Sequence, residues 1–238
     1  MSIIGAPTEW VDLIESQVPE ILCLVISTWE GMASPASDAR EDAITTALCR
    51  ALRNNRTARG LMFTIETQQV ELDPQPGQDL GRLDIAFRPL VPREEFYFCL
   101  ECKRLNAVVN GRRRAYSVEY VRFGMLRFVT GQYSRVVRHG GMLAYVLDGD
   151  MARAISNIEA NLRARHLILC MAAPGAFQPS SIVRNDSRVK ETHHLRAHDE
   201  TLFRIHHVFV SGREGGIGLL DARKTCKAFA ESMTAAKL

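Results

Sequence analysis

Apolar and polar positions follow two rhythms along this chain, and the rhythm assigns the elements. Residues 8–32 carry Trp10, Leu13, Ile14, Val18, Ile21 and Leu22 near a helical period. Pro19 lies inside that run and predicts a break or kink. The breaker Ala33-Ser34-Pro35-Ala36-Ser37 ends it. A second helix is predicted over 39–54, with Ile44, Leu48 and Leu52 as its apolar stripe. Asp38 with Glu41 fits a capping box at its start. Residues 61–72 read as a strand, closed by the loop Asp73-Pro74-Gln75-Pro76-Gly77-Gln78. Two more strands follow at about 82–89 and 95–103, joined by a turn near Val91 to Arg93.

The second half is less regular. Residues 105–114 read as a basic loop, and 115–138 as a helix interrupted near Gly124 or Gly131. A short apolar strand over 142–147 follows Gly140-Gly141, and an amphipathic helix covers 150–164. Residues 166–173 (HLILCMAA) read as a further apolar strand. The polar stretch 174–200 shows no period and holds three of the seven histidines. A last strand is expected over 203–211 and a closing helix over about 221–234. No internal repeat or linker stands out. The expectation is one α/β domain over 1–238, with residues 1–37 as a helical N-terminal addition.

Composition narrows the class. A chain of 238 residues can bury a sizeable core. Hydrophobic content of 46% and charged content of 24% suit a soluble protein. No apolar run approaches the roughly 18 residues of a membrane span. The first residues lack the basic and apolar regions of a signal peptide, so a cytoplasmic location is expected. The cysteines at 23, 49, 99, 102, 170 and 226 are too sparse for a disulfide scaffold and are expected to be reduced. Net charge is only +3, but 25 Arg stand against 5 Lys. Arg presents a planar fork suited to phosphate, a bias that a GC-rich genome would also produce. Locally, Arg112-Arg113-Arg114 is the best phosphate candidate, with a solvated loop as the alternative.

The stretch from Gly81 to Arg104 carries the most chemistry. It reads as a hairpin, yet it holds Asp84, Glu101 and Lys103 among bulky apolar neighbours. A turn centred between positions 92 and 93 puts Asp84 directly opposite Glu101. Opposed residues have Cβ atoms about 5 Å apart on one face. Lys103, two residues on, shares that face. Leu83, Ile85 and Phe87 are expected together on one face of the first strand, and Phe96, Phe98 and Leu100 together on one face of the second. Tyr97 and Cys99 join Glu101 on the opposite face. Strands apolar on both faces belong inside a sheet. Surface ion pairs are the alternative reading, but three charges buried there are costly without a use. Two close carboxylates repel unless a cation neutralises them. Mg²⁺ has the matching preference for hard oxygen ligands. A lysine beside them can orient a water or support a developing negative charge, a set suited to phosphodiester hydrolysis.

With "GRLDIAF" followed by "CLECK", the chain resembles the PD-(D/E)XK nuclease superfamily, whose fold is restriction-endonuclease-like. The resemblance covers about 38–147 and implies an αβββαβ core with a mixed sheet flanked by helices. Helix 39–54, strand 61–72, the hairpin, helix 115–138 and strand 142–147 follow that order. Leu83 stands where the family name implies Pro. The resemblance implies that Asp84 and Glu101 bind Mg²⁺ or Mn²⁺, helped by the Cys102 carbonyl, and that Lys103 positions the attacking water. It implies a further acidic residue on the first core helix. Glu41 shares the face of Ile44, Leu48 and Leu52, whereas Asp42 points elsewhere; its capping role remains open beside this one. Arg127 and Gln132 would contact the phosphate backbone, while Tyr120, Phe123 and Phe128 are assigned to the core. The implied activity is metal-dependent hydrolysis of DNA, in a restriction or phage-defence setting. The alternatives are an inactive binding or assembly protein on the same fold, and an RNase. No appended recognition domain is evident, so self-association or a partner subunit is expected to supply targeting.

Three weaker signals compete. Cys99 and Cys102 form CxxC, but on a strand they face opposite ways and cannot share one zinc ion. His193, His194 and His198 form HHxxxH, a metal pair if helical and a solvated or phosphate-facing loop otherwise. His206 and His207 lie on an apolar strand, where at least one must face inward. His194, Arg196 and His207 form a weak candidate for a substrate edge.

Overall fold

The two rhythms resolve into a mixed, open, seven-stranded sheet with helices on both faces. The computed structural model describes residues 7–72, 79–90, 95–196 and 202–211. Helices α1 (Pro7–Glu30) and α2 (Glu41–Arg59) precede strands β1 (Phe63–Leu72), β2 (Asp79–Pro89) and β3 (Phe98–Leu105). A small hairpin of β4 (Ala107–Val109) and β5 (Arg112–Arg114) leads to α3 (Ser117–Tyr120), a π-helical turn (Val121–Met125) and α4 (Leu126–Val129). Then come β6 (His139–Val146), α5 (Met151–Arg165), β7 (Gln178–Pro179), β8 (Val189–Leu195) and β9 (Leu202–Ser211). The sheet order is β1-β2-β3-β6-β9-β8-β7. Among the described residues β3–β6 and β6–β9 pair in parallel and the other neighbours antiparallel. The loop 73–78, the turn at 91–94, His198, Cys226 and the expected helix 221–234 lie outside the described residues.

Each face of the sheet carries its own core. On one face Ile14, Val18, Ile21, Leu22 and Val25 of α1 and Ile44, Leu48 and Leu52 of α2 meet Ile85, Phe98, Leu143 and Val208. The N-terminal helix therefore packs as a layer on the sheet. It runs through Pro19 without ending. Its buried flanks Val18, Ile21 and Leu22 offset a helix-interior proline cost of about 3 kcal/mol. Trp29 stacks on Tyr145 at 5.2 Å and donates to the Ser211 carbonyl at 2.9 Å, pinning the end of α1 to β6 and β9. On the other face Tyr120, Val121, Met125, Phe128, Ile158 and Leu162 cover Cys99, Met142, Ala144 and Phe209. Gly140 and Gly141 belong inside β6 because a Cβ there would meet Phe128 at 2.5 Å and Leu100 at 2.3 Å. Among the described residues no helix is long and apolar enough to cross a membrane.

Several expectations change. The basic loop is a two-stranded hairpin with Asn110 (φ 49) and Gly111 (φ 72) at its tip, where both residues need positive φ. The helix expected over 115–138 ends at Val129 and contains a π turn at Gly124. Phe123 lies on that turn, 52% exposed rather than in the core. Residues 166–170 form turns that continue from α5, with Met171 N bonding the His166 carbonyl at 3.1 Å, and the expected strand shrinks to an isolated antiparallel bridge between Met171 and His194 of β8. Leu167 is 79% exposed and only Leu169 is buried, since a short apolar run does not itself choose a partner strand. The polar stretch hides β8, whose buried Glu191, Thr192 and His194 are inside because they are paired.

That pairing forms a directed chain. The Leu169 carbonyl only accepts, so His194 donates to it from Nδ1 at 2.7 Å. His194 Nε2 then accepts from the Thr192 hydroxyl at 2.8 Å. Thr192 Oγ1 in turn accepts from His207 Nε2 at 2.8 Å. His207 Nδ1 accepts from the Tyr120 hydroxyl at 2.8 Å. One carbonyl thus sets both tautomers. Burial pushes His194 down to about 4 and His207 also well below its ordinary value, so both are neutral. Thr192→Val keeps the shape but strands a donor on His207 and an acceptor on His194. It is expected to cost about 2–6 kcal/mol, at roughly 1–3 kcal/mol per orphaned group, in urea unfolding. A loss below about 1 kcal/mol would show that the chain is not formed.

Candidate active site

Strands β2 and β3 pair with Ile85 opposite Leu100, Ala86 opposite Cys99 and Phe87 opposite Phe98. This is the register expected from the sequence, and it brings Asp84 next in line with Glu101. Regular pairing stops there. The Cys102 N–H bonds Asp84 Oδ2 at 2.7 Å, where a continued ladder would use a backbone carbonyl of β2. The β1–β2 pairing skips the same level: Thr67 faces Ile85, Gln69 faces Leu83, and Gln68 between them has φ 54. The irregularity turns Leu83 into the second core, apart from Ile85 and Phe87, contrary to the strict alternation expected.

Into this opening come four more side chains. Glu101 is 1% exposed, and its Oε1 accepts from Lys103 Nζ at 2.7 Å and Arg127 at 3.0 Å. Lys103 Nζ also reaches Glu41 Oε1 at 3.2 Å and the Cys102 carbonyl at 2.8 Å. Glu41 Oε2 accepts the Arg104 N–H at 2.8 Å. Glu41 is the first residue of α2, and the N-cap is Arg40 with no side-chain cap bond. The capping box with Asp38 is therefore absent, because β3 claims the Glu41 carboxylate. Asp42 pairs with exposed Arg40, away from the site as expected. Tyr133, which no spacing in the sequence marks, completes the wall. Its hydroxyl accepts from Arg127 at 2.8 Å and donates to the Arg82 carbonyl at 2.7 Å, tying α4 to β2.

The electrostatics are unbalanced. Among the described residues Asp84, Glu101 and Glu41 are opposed by Lys103 and Arg127. Burial, followed by the Asp84 charge, pushes Glu101 from 4.5 up to about 7, although Lys103 and Arg127 pull the other way. Burial also raises Asp84. For Lys103 burial favours the neutral amine, but Glu101, Glu41 and Asp84 outweigh it and hold the ammonium above its ordinary range. Lys103 is thus a fixed cation near neutral pH, suited to holding negative charge or a water oxygen and unsuited to removing a proton.

Glu101 Oε2 is buried without a hydrogen-bond partner. An orphaned carboxylate oxygen beside a second raised carboxyl fits a hard divalent cation, which would restore both charges. Among the described residues no group of three or more His, Cys, Asp or Glu side chains is arranged to hold an ion. The donors fit Mg²⁺ in its usual manner, through one or two carboxylates with water and phosphate completing the shell. The Cys102 carbonyl, assigned to the metal by resemblance, is engaged by Lys103.

The remaining candidates disperse. Arg112, Arg113 and Arg114 are exposed on the hairpin, with Arg113 3.3 Å from Asp148 and Arg114 3.3 Å from Glu119. Gln132 lies beyond α4 against Gly81, not on a helix facing Glu101. Cys99 and Cys102 enter opposite cores. His193 and His194 lie on strand β8 and not on a helix, and His193 pairs with Glu191 at 2.9 Å; His198 lies outside the described residues. His194, Arg196, His206 and His207 are all buried, which removes them from any substrate edge. No protein-family model, curated protein or solved structure matches the chain.

Glu101 makes stability depend on pH with a definite sign. Below 4.5 it is protonated in both the folded and unfolded chain. Between 4.5 and about 7 the unfolded chain ionises first, so stability falls as pH rises. Above about 7 the loss is complete, on the order of 3 kcal/mol. Glu101→Gln removes this titration. Its stability relative to wild type is expected to rise between about pH 5 and about pH 8 in urea unfolding without divalent cations. A difference that stays flat across that interval overturns the assignment.

Proposed function

We propose that the chain is a divalent-metal-dependent nuclease of the PD-(D/E)XK type that hydrolyses DNA. The observation that carries this reading is the buried Glu101, with Oε2 unpartnered and Oε1 held by Lys103 and Arg127, beside Asp84 at the point where β2 and β3 part. The order α2, β1, β2, β3, α3–α4, β6, with β3 and β6 parallel, supports the same reading because it follows the αβββαβ pattern.

In this reading Asp84 and Glu101 would hold Mg²⁺ or Mn²⁺, which when bound would supply an acidified water and neutralise phosphate oxygens. Lys103, fixed as an ammonium, holds the water oxygen and supports charge developing on the phosphate. Glu41 keeps the Lys103 head in place at 3.2 Å and anchors β3 through the Arg104 N–H. Arg127 is partly exposed and directs its guanidinium to Glu101, a position from which it can also meet a phosphate oxygen. The cytoplasm is the proposed location, and a second copy or a partner subunit is the proposed source of targeting.

Asp84→Ala and Lys103→Ala are each expected to lower Mg²⁺- or Mn²⁺-dependent cleavage by about 10²-fold or more, with circular dichroism unchanged. Either ion is expected to raise the melting temperature of wild type near pH 8 and not that of Asp84→Ala. A wild-type protein that cleaves neither DNA nor RNA with either ion would sink the enzyme reading; cleavage of RNA alone would move it to the RNase.

A further inference from the structure

The β4–β5 hairpin is the structure's least explained element. It buries little beyond Ala107 and presents three exposed arginines on β5. On a strand Arg112 and Arg114 share one face, and Arg113 takes the other. Arg113 turns to Asp148 at 3.3 Å and so fastens the ribbon to the loop after β6. Among the described residues Arg112 makes no ion pair. Val108 N donates to the Ser37 carbonyl at 2.9 Å, which seats the ribbon beside the start of α2.

A continuous set of contacts links this face to the site. Arg114 lies over the Tyr116 ring at 4.7 Å, and Arg104 lies over the same ring at 5.0 Å. Arg104 also donates to the Tyr116 hydroxyl at 3.1 Å, and its backbone N–H donates to Glu41, which holds Lys103. Tyr116 itself has φ 57, so the chain adopts a left-handed turn to present the ring there.

From this geometry we infer that the β4–β5 ribbon is a docking element for duplex DNA, with Arg112 and Arg114 on the phosphate backbone and the ribbon seated in the major groove. A groove about 12 Å wide admits a two-stranded antiparallel ribbon. The major groove of duplex RNA is too narrow and deep to do so. The planar guanidinium forks suit phosphate; Arg112 is exposed, and Arg114 would exchange its Glu119 partner at 3.3 Å for a phosphate oxygen. The inference rests on the nuclease reading for its biological meaning, but its test reads binding alone.

The test is fluorescence anisotropy of the full chain in EDTA with a labelled DNA duplex, the matching RNA duplex and a DNA single strand, across a salt series. Wild type is expected to prefer the DNA duplex. The Arg112→Ala, Arg114→Ala double variant is expected to bind it about tenfold more weakly, with a salt slope lower by about 2. Arg112→Lys is expected to keep the slope, because it keeps the charge. Asp84→Ala, by contrast, should lose cleavage and keep duplex binding. Equal binding of the RNA duplex, no binding of DNA, or an unchanged slope in the double variant each overturns the ribbon's role. DNA bound through the ribbon by a protein that never cleaves it would instead overturn the nuclease reading alone.

Discussion

The candidate site depends on one hydrogen bond, from the Cys102 N–H to Asp84 Oδ2 at 2.7 Å. A carboxylate there replaces the backbone carbonyl that would have continued the β2–β3 ladder. Beyond it β3 is free of β2 but still held in parallel by β6, with Glu101 opposite Met142 and Lys103 opposite Ala144. One side of β3 therefore stays rigid while the other opens. A regular hairpin would have closed this space with cross-strand pairs. The opening admits Glu41 from one helical layer and Arg127 from the other, so both faces of the sheet contribute to one cluster.

The cluster is held in an unstable balance of charge. Glu101 is buried where its ionisation is disfavoured, yet it is the acceptor on which Lys103 and Arg127 converge. Removing one partner from such a set leaves a buried charge uncompensated. The raised carboxyls and the orphaned Glu101 oxygen are mutually dependent, and both follow from burying more negative than positive charge in one place. The rest of the sheet meets the opposite requirement. The Tyr120–His207–Thr192–His194 chain satisfies each of its polar groups and leaves no net charge, so it fastens α3 to β8 and β9 without demanding a ligand.

Much of the fold was legible because its signals are local and repeated. Ile44, Leu48 and Leu52 marked α2, and the alternation around Phe87 and Phe98 marked the hairpin and its register. Elements failed where burial was won by polar pairing or where apolar residues were left outside. β8 reads as a loop because Thr192 and His194 are buried only by virtue of partners far away in sequence. Residues 166–173 read as a strand because an apolar run carries no record of whether a neighbour will cover it. Pro19 signalled a break that packing against the sheet overrides.

The sequence by itself indicated that Asp84 would come level with Glu101 on the neighbouring strand, since the pairing of Ile85 with Leu100 continues to them, and that Lys103 would follow two residues on. It also placed Glu41 on the inward stripe of α2. Only the tertiary structure decided that Glu41 would serve β3 and not its own helix cap, that Tyr133 would brace Arg127, and that Arg112 and Arg114 would stand on a ribbon beside the site. Those outcomes depend on how layers distant in sequence are brought together, and spacing along a chain encodes direction within an element but not distance between elements.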